Sequence, residues 1–263
     1  MRYFIRLAYN GAAYHGWQSQ PSAISVQQKI EEALSTVLRL PVSIVGAGRT
    51  DAGVHAREMF AHFDLPATLE SCGRTTDIGK IILSLNRLLG KDIAIYDIFK
   101  VADDAHARFD ACERTYKYFV TYDKTPFMHQ LCWHSPSSLD LDKMNEAAAF
   151  LKNTDDFTSF AKLHSDSKTN ICDVREAYWH PVSGHQDMAP LMGNGIVFTI
   201  SADRFLRNMV RAVVGTLVDV GRGKLSISEF KDIISKKDRC AAGTSMPAHA
   251  LYLWSVKYPF EVV

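Results

Sequence analysis

Two hydrophobic periods alternate along this chain of 263 residues, and their order leaves few folds open. Residues 2–9 alternate with period two, so that Tyr3, Ile5, Leu7 and Tyr9 share one face, the mark of a half-buried strand. Behind a Ser25/Gln28 capping box, Val26, Ile30, Ala33, Leu34, Val37 and Leu38 recur at helical spacing, and Pro41 marks that helix as finished. Residues 42–45 and 58–64 read as two further strands. Asp77 is placed to cap a helix whose apolar face is Ile78, Ile81, Ile82, Leu85, Leu88 and Leu89, ended by Gly90, and residues 93–99 form a closing strand.

Strand, helix, strand, strand, helix, strand is the split βαβ order of ferredoxin-like units. The second half of the chain supports the same reading. Residues 115–121 form a strand and 141–151 an amphipathic helix, and strands at 171–182 and 196–202 flank a Gly/Pro/His-rich loop. Phe205, Met209, Val213, Leu217 and Val220 line a helix ended by Gly221, a capped helix starts at Ser226 with Glu229, and residues 251–256 form the last strand. The expected class is α+β, with two βαββαβ halves at 1–104 and 105–263, a central mixed or antiparallel sheet, and a cleft between the halves as the place for a site.

Composition narrows the function classes. Thirty Lys and Arg against 29 Asp and Glu leave a net charge of +1, so any contact with nucleic acid must be a local patch. One candidate is the stretch 203–224, where Arg204, Arg207, Arg211, Arg222 and Lys224 outnumber Asp203 and Asp219. No run of 18 apolar residues occurs and the N-terminus alternates, so neither a membrane span nor an export signal is expected. The five cysteines are far apart without a Cys-x-x-Cys pair, and the ten histidines form no ligand pair. A reducing cytoplasm fits, and no metal is expected.

The stretch most suggestive of chemistry runs from Gly46 to Ala56, Gly-Ala-Gly-Arg-Thr-Asp-Ala-Gly-Val-His-Ala. Glycines at 46, 48 and 53 admit unusual backbone angles and close approach, the tip carries Arg49, Thr50 and Asp51, and apolar residues lie on both sides. By pattern alone this is either a tight turn in which Asp51 caps its own backbone or a loop holding one carboxylate beside one guanidinium. No Gly-Lys-Ser/Thr follows and the glycine spacing misses the dinucleotide fingerprint, so the phosphate-loop readings are excluded.

This undecapeptide resembles the motif that carries the catalytic aspartate of pseudouridine synthases of the TruA type, which act on transfer RNA. The resemblance spans nearly the whole chain. Tyr14-His15-Gly16-Trp17-Gln18 and Ser25-Val26-Gln27 are similar to two N-terminal elements of that family. His106-Ala107-Arg108-Phe109 followed by Arg114-Thr115-Tyr116-Lys117-Tyr118 is similar to the stretch that supplies its active-site tyrosine, matched by Tyr116. Phe205-Leu206-Arg207-Asn208-Met209-Val210-Arg211 is similar to its third motif, with Arg211 as the basic residue. The C-terminal motif departs from the family, reading Thr244-Ser245-Met246-Pro247-Ala248-His249-Ala250-Leu251 with alanine in place of a glycine at 250.

The resemblance implies a pseudouridine synthase fold and a homodimer that isomerises uridine in the anticodon stem-loop of tRNA. No cofactor is implied, since breaking the C1′–N1 bond and joining C1′ to C5 moves no net electrons. Asp51 would attack C1′ or remove a ribose proton, Arg211 would hold its charge, and Tyr116 would stack on the detached uracil. Arg49, Arg57, Arg108, Arg204 and Arg207 are the candidates for phosphate contacts. Two rivals use the same residues differently. A non-catalytic RNA-binding or RNA-folding protein would need the arginines and not Asp51, and a glycosidase would need a second positioned carboxylate, of which the motifs show none.

Overall fold

The structure, a computed structural model, describes residues 1–69, 77–163, 168–182 and 189–262. The chain forms two compact units, one running from Met1 to Cys112 and taking in the C-terminal stretch from Leu253, the other Glu113–Tyr252.

In the first unit β1 (Arg2–Tyr9), α1 (Val26–Leu38), β2 (Val45–Gly46), β3 (His55–Asp64), α2 (Ile78–Leu88) and β4 (Ile93–Lys100) follow in the expected order. The strands pair antiparallel as β4-β1-β3, with β2 also on β3, the spatial order that a split βαβ unit requires. The helix α1 buries Val26, Ile30, Ala33, Leu34 and Leu38 and begins at Ser25, whose side chain accepts from the Gln28 backbone N–H. The reciprocal half of a capping box is not what Gln28 does; its amide donates to Glu32 at 2.9 Å instead. On α2 only Ile81 and Leu85 are buried, with Leu89 at the cap, and Leu88 is exposed.

The strand expected at 42–45 shrinks to two residues. Val42 and Ile44 are buried as foreseen, yet the Ile44 N–H donates to Glu31 at 2.9 Å, so its hydrogen bond goes to a helix side chain and not to a ladder. Along β1 the outward face is not solvated at Phe4, which is fully buried among Phe99, His62, Tyr258 and Phe260 with ring centroids 5.4 to 6.2 Å away. The chain end returns to cover that face, with β9 (Leu251–Lys257) beside β3 and the Tyr258 hydroxyl donating to the Ala107 carbonyl at 2.6 Å.

His62 on β3 lies in this covered region and its Nδ1 accepts from the Ala107 N–H at 3.1 Å. Burial, and then the nearby Arg2 guanidinium, hold its pKa down from the ordinary 6.5 to about 4. The unfolded chain takes up this proton at higher pH than the folded one, so the stability present above the unfolded value is lost as the pH falls through that window. Urea titrations between about pH 7 and pH 4 should show a falling unfolding midpoint, and His62→Gln should flatten the fall. An equally steep fall in the variant would assign the acid sensitivity to other groups.

The second unit repeats the order with β5 (Glu113–Thr121), β6 (Trp133–His134), α3 (Leu141–Ala149), β7 (Val174–Pro181), a single turn α4 (Ala189–Met192), β8 (Gly195–Ala202), α5 (Met209–Gly221) and α6 (Ile227–Lys236). Its strands run β5-β8-β7, antiparallel, while β6 adds a parallel pair to β5, so the sheet is mixed. The edge of β7 is closed by Asn145 of α3, whose side chain accepts from the Trp179 N–H at 2.7 Å and donates to its carbonyl at 3.0 Å. The Ser226/Glu229 capping box is complete in both directions. Part of the Gly/Pro/His-rich loop, 183–188, falls outside the described residues.

The helix expected from Phe205 begins four residues later. Asn208 stands in the left-handed region at φ 65°, a conformation asparagine tolerates better than most residues but which breaks helical continuity. Phe205, Arg204 and Arg207 therefore lie in the loop before α5. The helix itself is apolar nearly all round and is buried over most of its length. Among the described residues, no helix is long and apolar enough to cross a membrane. The α+β class expected from the two alternating periods is the class observed.

Candidate active site

The loop bearing Asp51 joins β2 to β3, and the turn-rich stretch after β1 braces it through main-chain bonds. The Trp17 N–H donates to the Thr50 carbonyl at 3.2 Å and the Gly53 N–H to the Tyr14 carbonyl at 3.3 Å, so the chain is tied down on both sides of Asp51. The turn itself closes through the Val54 N–H on the Asp51 carbonyl at 3.1 Å, with Gly53 at φ 79° supplying the left-handed angle. Thr50, nearly fully buried, shares a hydrogen bond of 2.9 Å with the Tyr9 hydroxyl.

Gly16 explains why this bracing needs its motif. Its φ is 89°, and the place of its absent Cβ is taken by the Thr50 carbonyl oxygen. Gly11 has the same relation to the Val54 carbonyl, and its N–H donates to Nδ1 of the buried His55 at 3.0 Å. His55 closes the loop motif, so one imidazole ties the two stretches together; sequence reasoning passed over it because a histidine in an apolar strand carries no distinctive signal. Of the three loop glycines, Gly48 departs from expectation, since its φ is not positive and nothing lies within 4 Å of where its Cβ would be. Asp51 emerges half-buried on a turn whose backbone cannot readily shift.

The first unit also carries three of the expected arginines, all exposed. Nε of Arg49 donates to the Gln18 side-chain oxygen at 3.1 Å. The Arg57 guanidinium lies 4.9 Å from the Trp254 ring, and that of Arg108 lies 5.7 Å from the ring of the exposed Phe109. The Arg108 and Phe109 N–H groups both donate to Nδ1 of His106, at 3.1 and 3.2 Å.

Tyr116 and Arg211 belong to the second unit. Burial along β5 changes between Lys117 and Tyr118, leaving Tyr116 half-exposed with its ring edge-on to Phe205 at 5.1 Å and 84°. Tyr116 is therefore not a fully buried core residue. Tyr118 holds that place, fully buried, its pKa raised by burial and its hydroxyl donating to the Pro247 carbonyl at 3.1 Å.

Near the start of α5, Nε of Arg211 donates to the Met246 carbonyl at 2.6 Å, and the Met246 N–H returns a bond to the Arg211 carbonyl at 3.1 Å. The segment that departs from the family pattern is thus the one that orients Arg211. Ser245 accepts there from Asn208 at 2.6 Å and from Arg239 at 2.8 Å, two partners that sequence reasoning did not identify. Arg204 is half-buried and Arg207 exposed in the preceding loop. Among the described residues, no group of three or more His, Cys, Asp or Glu could hold a metal ion.

The first unit thus holds a carboxylate on a fixed turn, and the second holds a half-exposed aromatic ring and a guanidinium anchored through Nε. Residues 147–259 match the model of a family described as tRNA pseudouridine synthase. A protein of Porphyromonas gingivalis named tRNA pseudouridine synthase A is 55% identical over 261 residues, covering 99% of this chain and 98% of that protein. Proteins of the same name from Bacteroides fragilis and Bacillus subtilis are 52% and 36% identical, covering 99% and 98% of this chain and 98% and 99% of their own lengths.

Proposed function

The chain belongs to the tRNA pseudouridine synthase A family, whose members are isomerases, and we propose that it converts uridine to pseudouridine in the anticodon stem-loop of tRNA with Asp51 as the nucleophile. The observation that carries this reading is the fixed turn of Asp51. A carboxylate that must meet C1′ of one ribose gains from being positioned before the substrate arrives, because the ordering cost is then met by folding. The target uridine leaves its stack to reach the carboxylate, at a cost of a few kcal/mol.

In the reaction the C1′–N1 bond breaks with its electron pair passing to the uracil ring, and Asp51 holds C1′ through an ester. The uracil turns, C5 bonds to C1′ as the ester breaks, C5 gives up its proton, and N1 ends with a proton. Atoms and electrons balance without a co-reactant. Tyr116 provides a ring face for the turning uracil and a hydroxyl suited to relaying the C5 proton, and Arg211 supplies a guanidinium able to pair with an anionic group during the reaction. Arg49, Arg57, Arg108, Arg204 and Arg207 contact tRNA phosphates. The enzyme works as a homodimer in the cytoplasm, a reading supported by the family resemblance and by the exposed thiols of Cys112 and Cys240, which suit a reducing compartment.

Mapping pseudouridine in unmodified tRNA before and after incubation tests the position: new sites should appear in the anticodon arm, and products confined to other arms would contradict it. Because the net charge is only +1, binding should depend on a local patch. The affinity for tRNA should fall steeply with salt, and Arg204→Ala and Arg207→Ala should each flatten the log-log slope by roughly one unit per lost phosphate contact. Slopes unchanged in both variants would remove the loop before α5 from the RNA interface.

A further inference from the structure

The two N-terminal motifs contain Gln18 and Gln27, residues with no part in the chemistry above, and the structure connects both to Arg49. Gln27, half-buried on α1, uses its full hydrogen-bonding capacity. Its oxygen accepts from the Gln18 side-chain amide and from the Ser19 N–H, both at 3.0 Å. Its nitrogen donates to Glu31 at 3.0 Å and to the Ile44 carbonyl at 3.1 Å. Turning this amide over would set N–H against N–H at one end and oxygen against oxygen at the other, so its orientation is forced. Gln18 inherits the constraint: with its nitrogen committed to Gln27, it presents its oxygen to Nε of Arg49 at 3.1 Å.

Arg49 is exposed, and among the described residues its two terminal nitrogens have no hydrogen-bond partner. A chain of amides thus runs from α1 to a cation two residues before Asp51, engaging Nε and leaving the end of the guanidinium for a ligand. That end offers two parallel N–H donors, the arrangement that grips a phosphate through both oxygens.

We propose that Gln27, acting through Gln18, is a positioning residue that holds the Arg49 guanidinium ready for the RNA backbone beside the reacting uridine. The proposal rests on the tRNA pseudouridine synthase reading. An exposed arginine that is already held gives up less freedom on binding, and immobilising one rotamer-rich side chain costs roughly two- to tenfold in affinity.

The test is a set of double-mutant cycles, with tRNA affinity measured in the Asp51→Asn background so that no turnover intervenes, and with kcat/KM measured in the otherwise native enzyme. Arg49→Ala should weaken binding about tenfold. Gln27→Met and the exposed Gln18→Met, which keep length and lose the amide, should each weaken binding by roughly two- to tenfold. Neither should weaken it further once Arg49 is alanine, because each acts only through Arg49. Gln18→Met keeps the test valid if Gln27→Met fails to fold. Equal losses with and without Arg49, or an Arg49→Ala variant that binds as the native enzyme does, would overturn the proposal. Absence of tRNA binding or product in the native enzyme would instead overturn the functional reading on which it rests.

Discussion

Asp51→Asn should abolish formation of pseudouridine while leaving the fold and tRNA binding in place. The substitution keeps the shape of the side chain and removes the charge of the proposed nucleophile, so the loss should fall on the chemical step. The neighbouring turn keeps its main-chain closure in the variant, since the Val54 N–H donates to the Asp51 carbonyl and the Trp17 and Gly53 main-chain groups tie the chain down on both sides. Melting temperature should therefore change little, and affinity should stay within about tenfold, roughly 1.4 kcal/mol. Single-turnover assays with enzyme in excess provide the check. Product at a rate near that of the native enzyme would remove Asp51 from the chemistry and leave the chain as an RNA binder on a synthase scaffold.

The second large effect is expected at Tyr116, where ring and hydroxyl can be separated. Tyr116→Phe keeps the ring that faces Phe205 and loses the hydroxyl proposed to relay a proton, so the chemical step should slow by roughly a hundredfold or more at unchanged stability. Tyr116→Ala should be slower still, since the detached uracil loses its platform. Because Tyr116 is half-exposed, neither variant should melt much earlier than the native enzyme. Tyr118→Ala is the contrast, since truncating a fully buried aromatic ring costs about 3–5 kcal/mol. Full activity in Tyr116→Phe would confine residue 116 to packing or stacking.

Much of this was legible in the amino-acid order because local physics decided it. The Ser226/Glu229 box, the cap at Asp77, the extent of β8 and the helical period of α1 are settled by near neighbours, and the structure keeps them. The failures share a different cause. The 42–45 strand lost its ladder to the Glu31 side chain, Phe4 was buried by a chain end more than 250 residues away, and α5 started late because Asn208 adopted a left-handed angle stabilised from Ser245. Each depends on a partner distant in sequence, which periodicity cannot reveal.

The site divides along the same line. Asp51 and its glycine turn stood out as a local pattern. The bracing by Gly11, Gly16 and His55, and the amide chain from Gln27 to Arg49, exist only once β1, α1 and β3 are assembled. The motif Tyr14-His15-Gly16-Trp17-Gln18 was recognisable by resemblance, whereas its physical purpose, to hold the neighbouring loop, was not.

The most direct test of the central claim follows the C5 hydrogen of uridine. A tRNA transcript carrying tritium at uridine C5 is incubated with the purified protein, and water, free base and intact nucleosides are then separated. The account predicts that tritium from uridines of the anticodon arm passes into water in step with the appearance of pseudouridine, with no free uracil released. Free uracil and abasic sites, or stable tRNA binding without any tritium release, would contradict it.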